Sequence, residues 1–184
     1  MRIVERALNG LLVLEPRVFN DNRGVFFESF NENTFNTLIG EPVSFLQDNH
    51  SVSKINVVRG LHMQAPPFAQ GKLVRVAHGK VFDVAVDVRK GSPTFGQYFG
   101  LELSAENNLM LWIPAGFAHG FSVLDDNSIF LYKCTNVYNK ESELTLLYND
   151  AALAIDWKVE NAIISGKDRE GIAFNEFKSP FVYT

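Results

Sequence analysis

The sequence is short of several things, and each shortage removes a class of protein. Only one of its 184 residues is a cysteine, Cys134, so it can build neither an intrachain disulfide framework nor a cysteine-rich zinc site. A reducing compartment, the cytoplasm, is the expected location. Basic residues are not in excess: 17 Lys and Arg against 21 Asp and Glu leave a net charge of -4. That is the wrong sign for a sequence-independent nucleic-acid surface, and no nucleic-acid partner is expected. No apolar run approaches the length of a membrane span, and Met1 to Leu14 is interrupted by Arg2, Glu5 and Arg6. Neither a membrane anchor nor a signal peptide is therefore expected. Repeats, linkers and low-complexity tracts are missing too, which makes residues 1–184 one expected domain, long enough to bury roughly two-thirds of its unfolded surface.

What is present is apolar and aromatic. Sixteen phenylalanines and a hydrophobic fraction of 46% describe a globular chain with an aromatic-rich core. Short β-rich runs dominate: Leu11 to Leu14, Val25 to Phe30, Val57 to Leu61, Lys72 to Ala77, Val81 to Val88, Tyr98 to Leu103, Leu109 to Ile113, Phe121 to Val123, Ile129 to Thr135 and Leu144 to Leu147. Clusters such as His78-Gly79-Lys80, Lys90-Gly91-Ser92-Pro93 and Asp125-Asp126-Asn127-Ser128 punctuate them. Many short strands at this spacing predict an all-β sandwich or barrel, with a jelly roll as one way to bury the strand edges. Helices are expected to be few and short: Glu32 to Leu38, and one or two turns near Asn149 to Ala154. The segment Ile163 to Thr184 is expected to pack back onto the body.

The chemistry concentrates between Arg59 and Arg75. Arg59-Gly60-Leu61-His62-Met63-Gln64 and Gln70-Gly71-Lys72-Leu73-Val74-Arg75-Val76 place an imidazole, an ammonium and two guanidiniums in one short apolar region. A base beside fixed cations suits proton removal next to a carbonyl, since the cations hold the oxyanion that forms. Taken alone, His62 is equally a satisfied strand-end histidine. Strict alternation from Val58 puts Gly60, His62 and Gln64 on one face and Arg59 on the other, whereas a bulge at Gly60 brings Arg59 and His62 into one cavity. Lys72 shares a face with Val74 and Val76, so it points inward if they do. It is then either a snorkelling strand-end lysine or a buried cation with a partner, for which Asp83 and Asp87 on the run Val81 to Val88 are candidates. His50 and His78 lie in polar or turn contexts and read as surface residues. Tyr132 and Tyr138 flank Lys133 and Cys134; aromatic strand residues are usually core, yet a phenol opposite a histidine is a suitable proton donor.

Pro114-Ala115-Gly116-Phe117-Ala118-His119-Gly120-Phe121 resembles the second motif of the cupins, where such a histidine ligates a metal. The two closely spaced histidines and the glutamate of the first cupin motif are missing, so the ligands are too few and no metal or other cofactor is expected. Taken together, the ordered motifs resemble the dTDP-4-dehydrorhamnose 3,5-epimerase family of metal-independent cupins. They are Phe19-Asn20-Asp21-Asn22-Arg23-Gly24-Val25-Phe26-Phe27-Glu28, Gln47-Asp48-Asn49-His50-Ser51, Arg59-Gly60-Leu61-His62, Gln70-Gly71-Lys72-Leu73-Val74, Asp83-Val84-Ala85-Val86-Asp87-Val88-Arg89 and the segment ending in His119-Gly120-Phe121.

The resemblance implies a cupin-type jelly roll that pairs as a homodimer, each site completed by residues of the partner subunit. It also implies roles. His62 matches the base that takes the C3 and C5 protons of a 4-keto sugar, Asp168 the carboxylate that favours its imidazolium, Lys72 the cation at the C4 oxygen and Tyr132 the acid on the opposite face. Arg23 and Arg59 match diphosphate contacts; Glu28, Gln47 and Asn49 recognise the thymidine end, with Phe26 and Tyr138 stacking near it. His119, Glu143 and Lys167 match further ligand contacts. Met63, where many relatives have tyrosine, and Ala151, where proline is common, depart from the pattern. The chemical alternatives are epimerisation at one carbon, 4-keto to 3-keto isomerisation, nucleotide-sugar binding without catalysis, and a metal dioxygenase.

Overall fold

The computed structural model describes residues 1–184. Thirteen strands form in chain order: β1 Arg2–Ala7, β2 Leu11–Glu15, β3 Val18–Asp21, β4 Gly24–Phe27, β5 Gln47–Ser53, β6 Val58–Gln64, β7 Lys72–His78, β8 Lys80–Asp87, β9 Tyr98–Ser104, β10 Met110–Ile113, β11 Phe117–Val123, β12 Ser128–Cys134 and β13 Glu143–Thr145. Two helices accompany them, α1 Glu32–Ile39 and α2 Gly166–Arg169, and a 3₁₀ turn at Lys140–Ser142. The strands assemble into a six-stranded sheet, β1-β2-β10-β7-β12-β5, a five-stranded sheet, β13-β6-β11-β8-β9, and a separate β3-β4 ribbon. All named pairings are antiparallel. The two large sheets face one another as a jelly roll of the cupin type.

The apolar runs are continuous rather than alternating because both faces of each sheet are covered. Leu11 and Val13 of β2 enter the core between the sheets with Val74, Val76, Leu111, Phe121 and Phe130, while Leu12 and Leu14 point outward. That outer face is covered by α1, whose fully buried Phe35 joins Phe45 and Trp112. The helix starts at Asn31, whose side chain accepts from the Thr34 N–H, and ends at Gly40, whose φ of 88° is a left-handed cap. The outer face of the five-stranded sheet is covered by the C-terminal third. Val84, Val86 and Leu61 pack there against Leu153, Trp157 and Ile164, with Phe174, Phe177 and Phe181 at the edge. Residues from Ile163 onward therefore do fold back onto the body.

Several elements differ from the sequence reading. β1, β3 and β5 form where no strand was expected, and the run from Val25 stops at Phe27. Residues near Asn149 to Ala154 make turns rather than a helix. Short α2 instead follows Ser165, whose hydroxyl accepts the Asp168 N–H.

Candidate active site

A cavity of about 380 Å³ opens between the two sheets. The six-stranded sheet contributes Gln47, Asn49 and Ser51 from β5, Lys72 from β7 and Tyr132 from β12; the five-stranded sheet contributes Arg59, His62 and Gln64 from β6 and His119 and Phe121 from β11. Tyr138 and Glu143 close one side.

The bulge in β6 makes this possible. His119 pairs with His62 and Phe121 with Arg59, so the single residue Gly120 on β11 faces two residues, Gly60 and Leu61, on β6. Arg59 and His62, three apart, consequently share the cavity face while Val58 and Leu61 point into the outer core. Gly60 is required there. Its φ is +140°, and a Cβ would lie 2.6 Å from Gly120 Cα.

His62 Nε2 is 2.6 Å from Asp168 Oδ1, and the other carboxylate oxygen accepts the Gly60 N–H at 3.3 Å. Burial by itself raises the Asp168 carboxyl. Bonds from His62, from the Gly60 N–H and from the Ser165 hydroxyl, with the attraction of the His62 charge, outweigh it and hold the group below the ordinary carboxylate range. Asp168 thus stays an anion that orients the imidazole.

Lys72 is buried and points inward with Val74 and Val76, its ammonium donating to the His62 carbonyl at 3.3 Å. Burial lowers its pKa, against the pull of Cys134, Asp83 and Glu143. Only part of the proposed counter-charge holds. The charge of Asp83 favours the Lys72 ammonium, but Asp83 makes no ion pair with it, and its direct partner is His119 Nε2 at 2.9 Å. Asp87 is not a partner of Lys72: it binds the Arg89 guanidinium at 2.7 Å and accepts from the hydroxyls of Ser92 and Thr94, because Arg89 follows it by two residues and curls back.

Tyr132 faces the cavity from the sheet opposite His62. Burial raises its pKa, as do Cys134 and Glu143, while Arg59 opposes them, so the phenol stays protonated at neutral pH. Glu143 accepts from the Tyr138 hydroxyl at 3.0 Å and pairs with Lys167. Gln47 accepts the Tyr138 N–H at 2.8 Å and donates to Asn49 at 3.1 Å. Arg59 donates to the Ser53 hydroxyl at 3.1 Å.

The structure thus gathers His62, Lys72, Tyr132, Asp168, Arg59, Gln47, Asn49, His119, Tyr138, Glu143 and Lys167 around one cleft. Arg23, Phe26 and Glu28 do not line it. Arg23 turns onto Asp21, Phe26 is 72% exposed on the β3-β4 ribbon, and Glu28 accepts from Asn31. Gln64 lines the cavity beside His62, as strand alternation from Val58 expects; Phe121, Gln70 and Ser51 also line it without having been assigned a role from the sequence, and for Phe121 the strand period from His119 is the signal that reveals it. His50 is exposed, as expected of a surface residue, yet it also contributes to the cavity wall. No three His, Cys, Asp or Glu side chains converge to hold a metal ion, and the imidazoles of His62 and His119 each engage a carboxylate.

A jelly roll with a histidine-carboxylate pair on one wall, a phenol on the other and a buried ammonium between them defines a cupin-type isomerase of the proton-transferring class. The chain belongs to the dTDP-4-dehydrorhamnose 3,5-epimerase family, whose model matches residues 5–176. It is 59% identical over 157 residues to the dTDP-4-dehydrorhamnose 3,5-epimerase of Salmonella typhimurium, covering 85% of this chain and 86% of that one. It is 54% identical to the Pseudomonas aeruginosa enzyme of the same name, covering 95% and 96% of the two chains. Among solved structures, a dTDP-6-deoxy-D-glucose-3,5-epimerase of Legionella pneumophila in complex with dTDP-4-keto-L-rhamnose superposes with a TM-score of 0.95 at 46% identity, covering 100% of this chain and 98% of the other.

Proposed function

We propose that the protein inverts C3 and C5 of dTDP-4-dehydro-6-deoxy-D-glucose to give dTDP-4-dehydro-L-rhamnose. The observation that carries this reading is that His62, backed by Asp168, and Tyr132 project into one cavity from opposite sheets. Inversion needs that arrangement, since a proton must leave one face of the ring and another must arrive at the other.

In each round His62 Nδ1, left unprotonated because Nε2–H donates to the Asp168 carboxylate, removes the proton next to the C4 ketone. The electron pair moves into an enolate whose C4 oxygen is held by the Lys72 ammonium. Tyr132 gives its phenolic proton to the opposite face of the same carbon. The proton on His62 and the one missing from Tyr132 are then exchanged with solvent, and the cycle repeats at the other carbon. Arg59 meets the diphosphate, and Gln47, Asn49 and Tyr138 face the nucleoside; His119, Glu143 and Lys167 complete the ligand contacts.

The active form is a homodimer in which Arg23, Phe26 and Glu28 serve the partner's cleft. Support comes from their not lining the chain's own cavity and from the exposed side chains of Phe19, Val25 and Phe26 on the β3-β4 ribbon. No helix is long and apolar enough to cross a membrane; the single buried, unpaired Cys134 supports a cytoplasmic location.

Incubation with dTDP-4-keto-6-deoxyglucose in deuterated water tests the reaction. Deuterium at both C3 and C5 with inverted stereochemistry is the expected product. Label at one carbon makes the protein a mono-epimerase, a carbonyl at C3 makes it a ketoisomerase, and recovery of unlabelled substrate refutes proton transfer altogether.

A further inference from the structure

Between the end of β12 at Cys134 and the 3₁₀ turn that begins at Lys140, the chain carries Tyr138 past one side of the cavity without main-chain support. Residues 136–138 take part in no backbone–backbone hydrogen bond. Side chains replace it, chiefly three glutamines of the cavity wall. Gln70 donates to the Asn136 carbonyl at 2.8 Å, Gln47 accepts the Tyr138 N–H at 2.8 Å and Gln64 accepts the Asn139 N–H at 2.9 Å. A main-chain N–H can only donate, so the last two bonds fix which end of each amide is the oxygen. Gln47 comes from the six-stranded sheet and Gln64 from the five-stranded one, two residues after His62. Gln64 is the best placed of the three to set the loop. Its side chain takes the N–H just before the turn, and the next residue, Ala65, donates to the Ser142 carbonyl at the end of the turn, at 2.7 Å. Its partner in the strand register is Glu143, which accepts from the Tyr138 hydroxyl at 3.0 Å.

We propose that Gln64 is a positioning residue for ligand binding: by holding the Asn139 N–H it fixes the loop that aims the Tyr138 ring at the nucleoside end of the substrate. The proposal rests on the function proposed above and adds a residue to it. Tyr138 is 51% exposed, so packing does little to fix its ring, and its direction comes from the main chain and from the hydroxyl bond to Glu143. A ring already held in the binding geometry spares the ligand the cost of ordering it. Gln47 also bonds Asn49, and both face the nucleoside in the function above, so removing Gln47 would mix a lost ligand contact with a loosened loop. No ligand contact is assigned to Gln64. The base is held by Asp168 rather than by this loop, so binding and not proton transfer is what responds to Gln64.

The test is Gln64→Met in the full chain, which keeps the length and volume of the side chain and removes the acceptor. Calorimetry with dTDP, steady-state kinetics and amide hydrogen exchange by NMR are compared with the unaltered protein. The substitution is expected to weaken dTDP binding about 5-fold to 10-fold and to raise KM by a similar factor with kcat within about 3-fold. Exchange at the Asn139 amide is expected to quicken at least about 10-fold. In a Tyr138→Ala background the same substitution is expected to change dTDP affinity less than about 2-fold, because the ring it positions is gone. A loss of affinity that persists there in full overturns the proposal, since Gln64 would then touch the ligand itself or act by general packing. Exchange at Asn139 that Gln64→Met leaves unmoved also overturns it. If the unaltered protein binds no dTDP, it is the proposed function that fails, and exchange at the Asn139 amide still decides the loop contact. Should Gln64→Met not fold, the unaltered protein decides: its Asn139 amide is expected to exchange at least about 10-fold more slowly than an unprotected amide, and an unprotected Asn139 overturns the proposal.

Discussion

Two histidine-carboxylate pairs stand side by side on the neighbouring strands β6 and β11, His62 with Asp168 at 2.6 Å and His119 with Asp83 at 2.9 Å. His62 and His119 are direct partners in the strand register. They differ in access: the His62 side chain is 31% exposed and that of His119 only 6%. A base must meet a substrate and return its proton to solvent, which only the first pair can do. The second is enclosed by Phe121 and Phe130, and its imidazole is confined to the neutral form. Burial thus separates two like pairs, one open to the cavity and one enclosed.

The sharpest way to break the comparison is to remove each imidazole. His62→Ala is expected to lower kcat about 10⁴-fold while dTDP affinity, measured by calorimetry, stays within a few-fold. Tyr132→Phe is expected to cost about 10²–10³-fold in inverted product. The base remains, so deuterium still enters the substrate with retention, visible by NMR. Asp168→Asn is expected to cost about 10²-fold, and its pH signature separates it from a mere packing change. The folded Asp168 carboxyl lies below its ordinary value, so it contributes stability above the ordinary carboxylate range and loses that contribution as pH falls through the folded value. Melting curves taken below about pH 4 should therefore fall more steeply for the unaltered protein than for Asp168→Asn. His119→Gln is expected to have the smallest effect on rate, about 10-fold, with a stability loss of about 1–3 kcal/mol measured by denaturant unfolding. If His119→Gln were as damaging to kcat as His62→Ala, the division of labour drawn here would be wrong.

Much of this cleft was legible before any coordinates, and the reasons are local. Period two ties Lys72 to the face of Val74 and Val76, and the structure turns that face inward. The glycine between Arg59 and His62 announced a bulge, and the register slip against Gly120 is that bulge. What sequence could not supply was partner choice among buried charges. Asp83 and Asp87 share a strand face, but Arg89 reaches back two residues to claim Asp87, while His119 arrives from another strand to claim Asp83. Strand β5, Gln47–Ser53, went unseen because its inward positions are Gln47, Asn49 and Ser51, polar residues that line a cavity and leave no apolar alternation. Helix α2 is four residues long, too short for any periodicity, and exists because Ser165 caps it.

The carboxylate behind His62 comes from the segment that folds back over the five-stranded sheet, late in the chain. Synthesis delivers the imidazole, the ammonium and the phenol first and Asp168 nearly last. All thirteen strands precede Asp168 in the chain, so the carboxylate that holds His62 is added only after every strand has been made. On the proposed mechanism, activity is therefore also a record of completion, registered when the tail has docked.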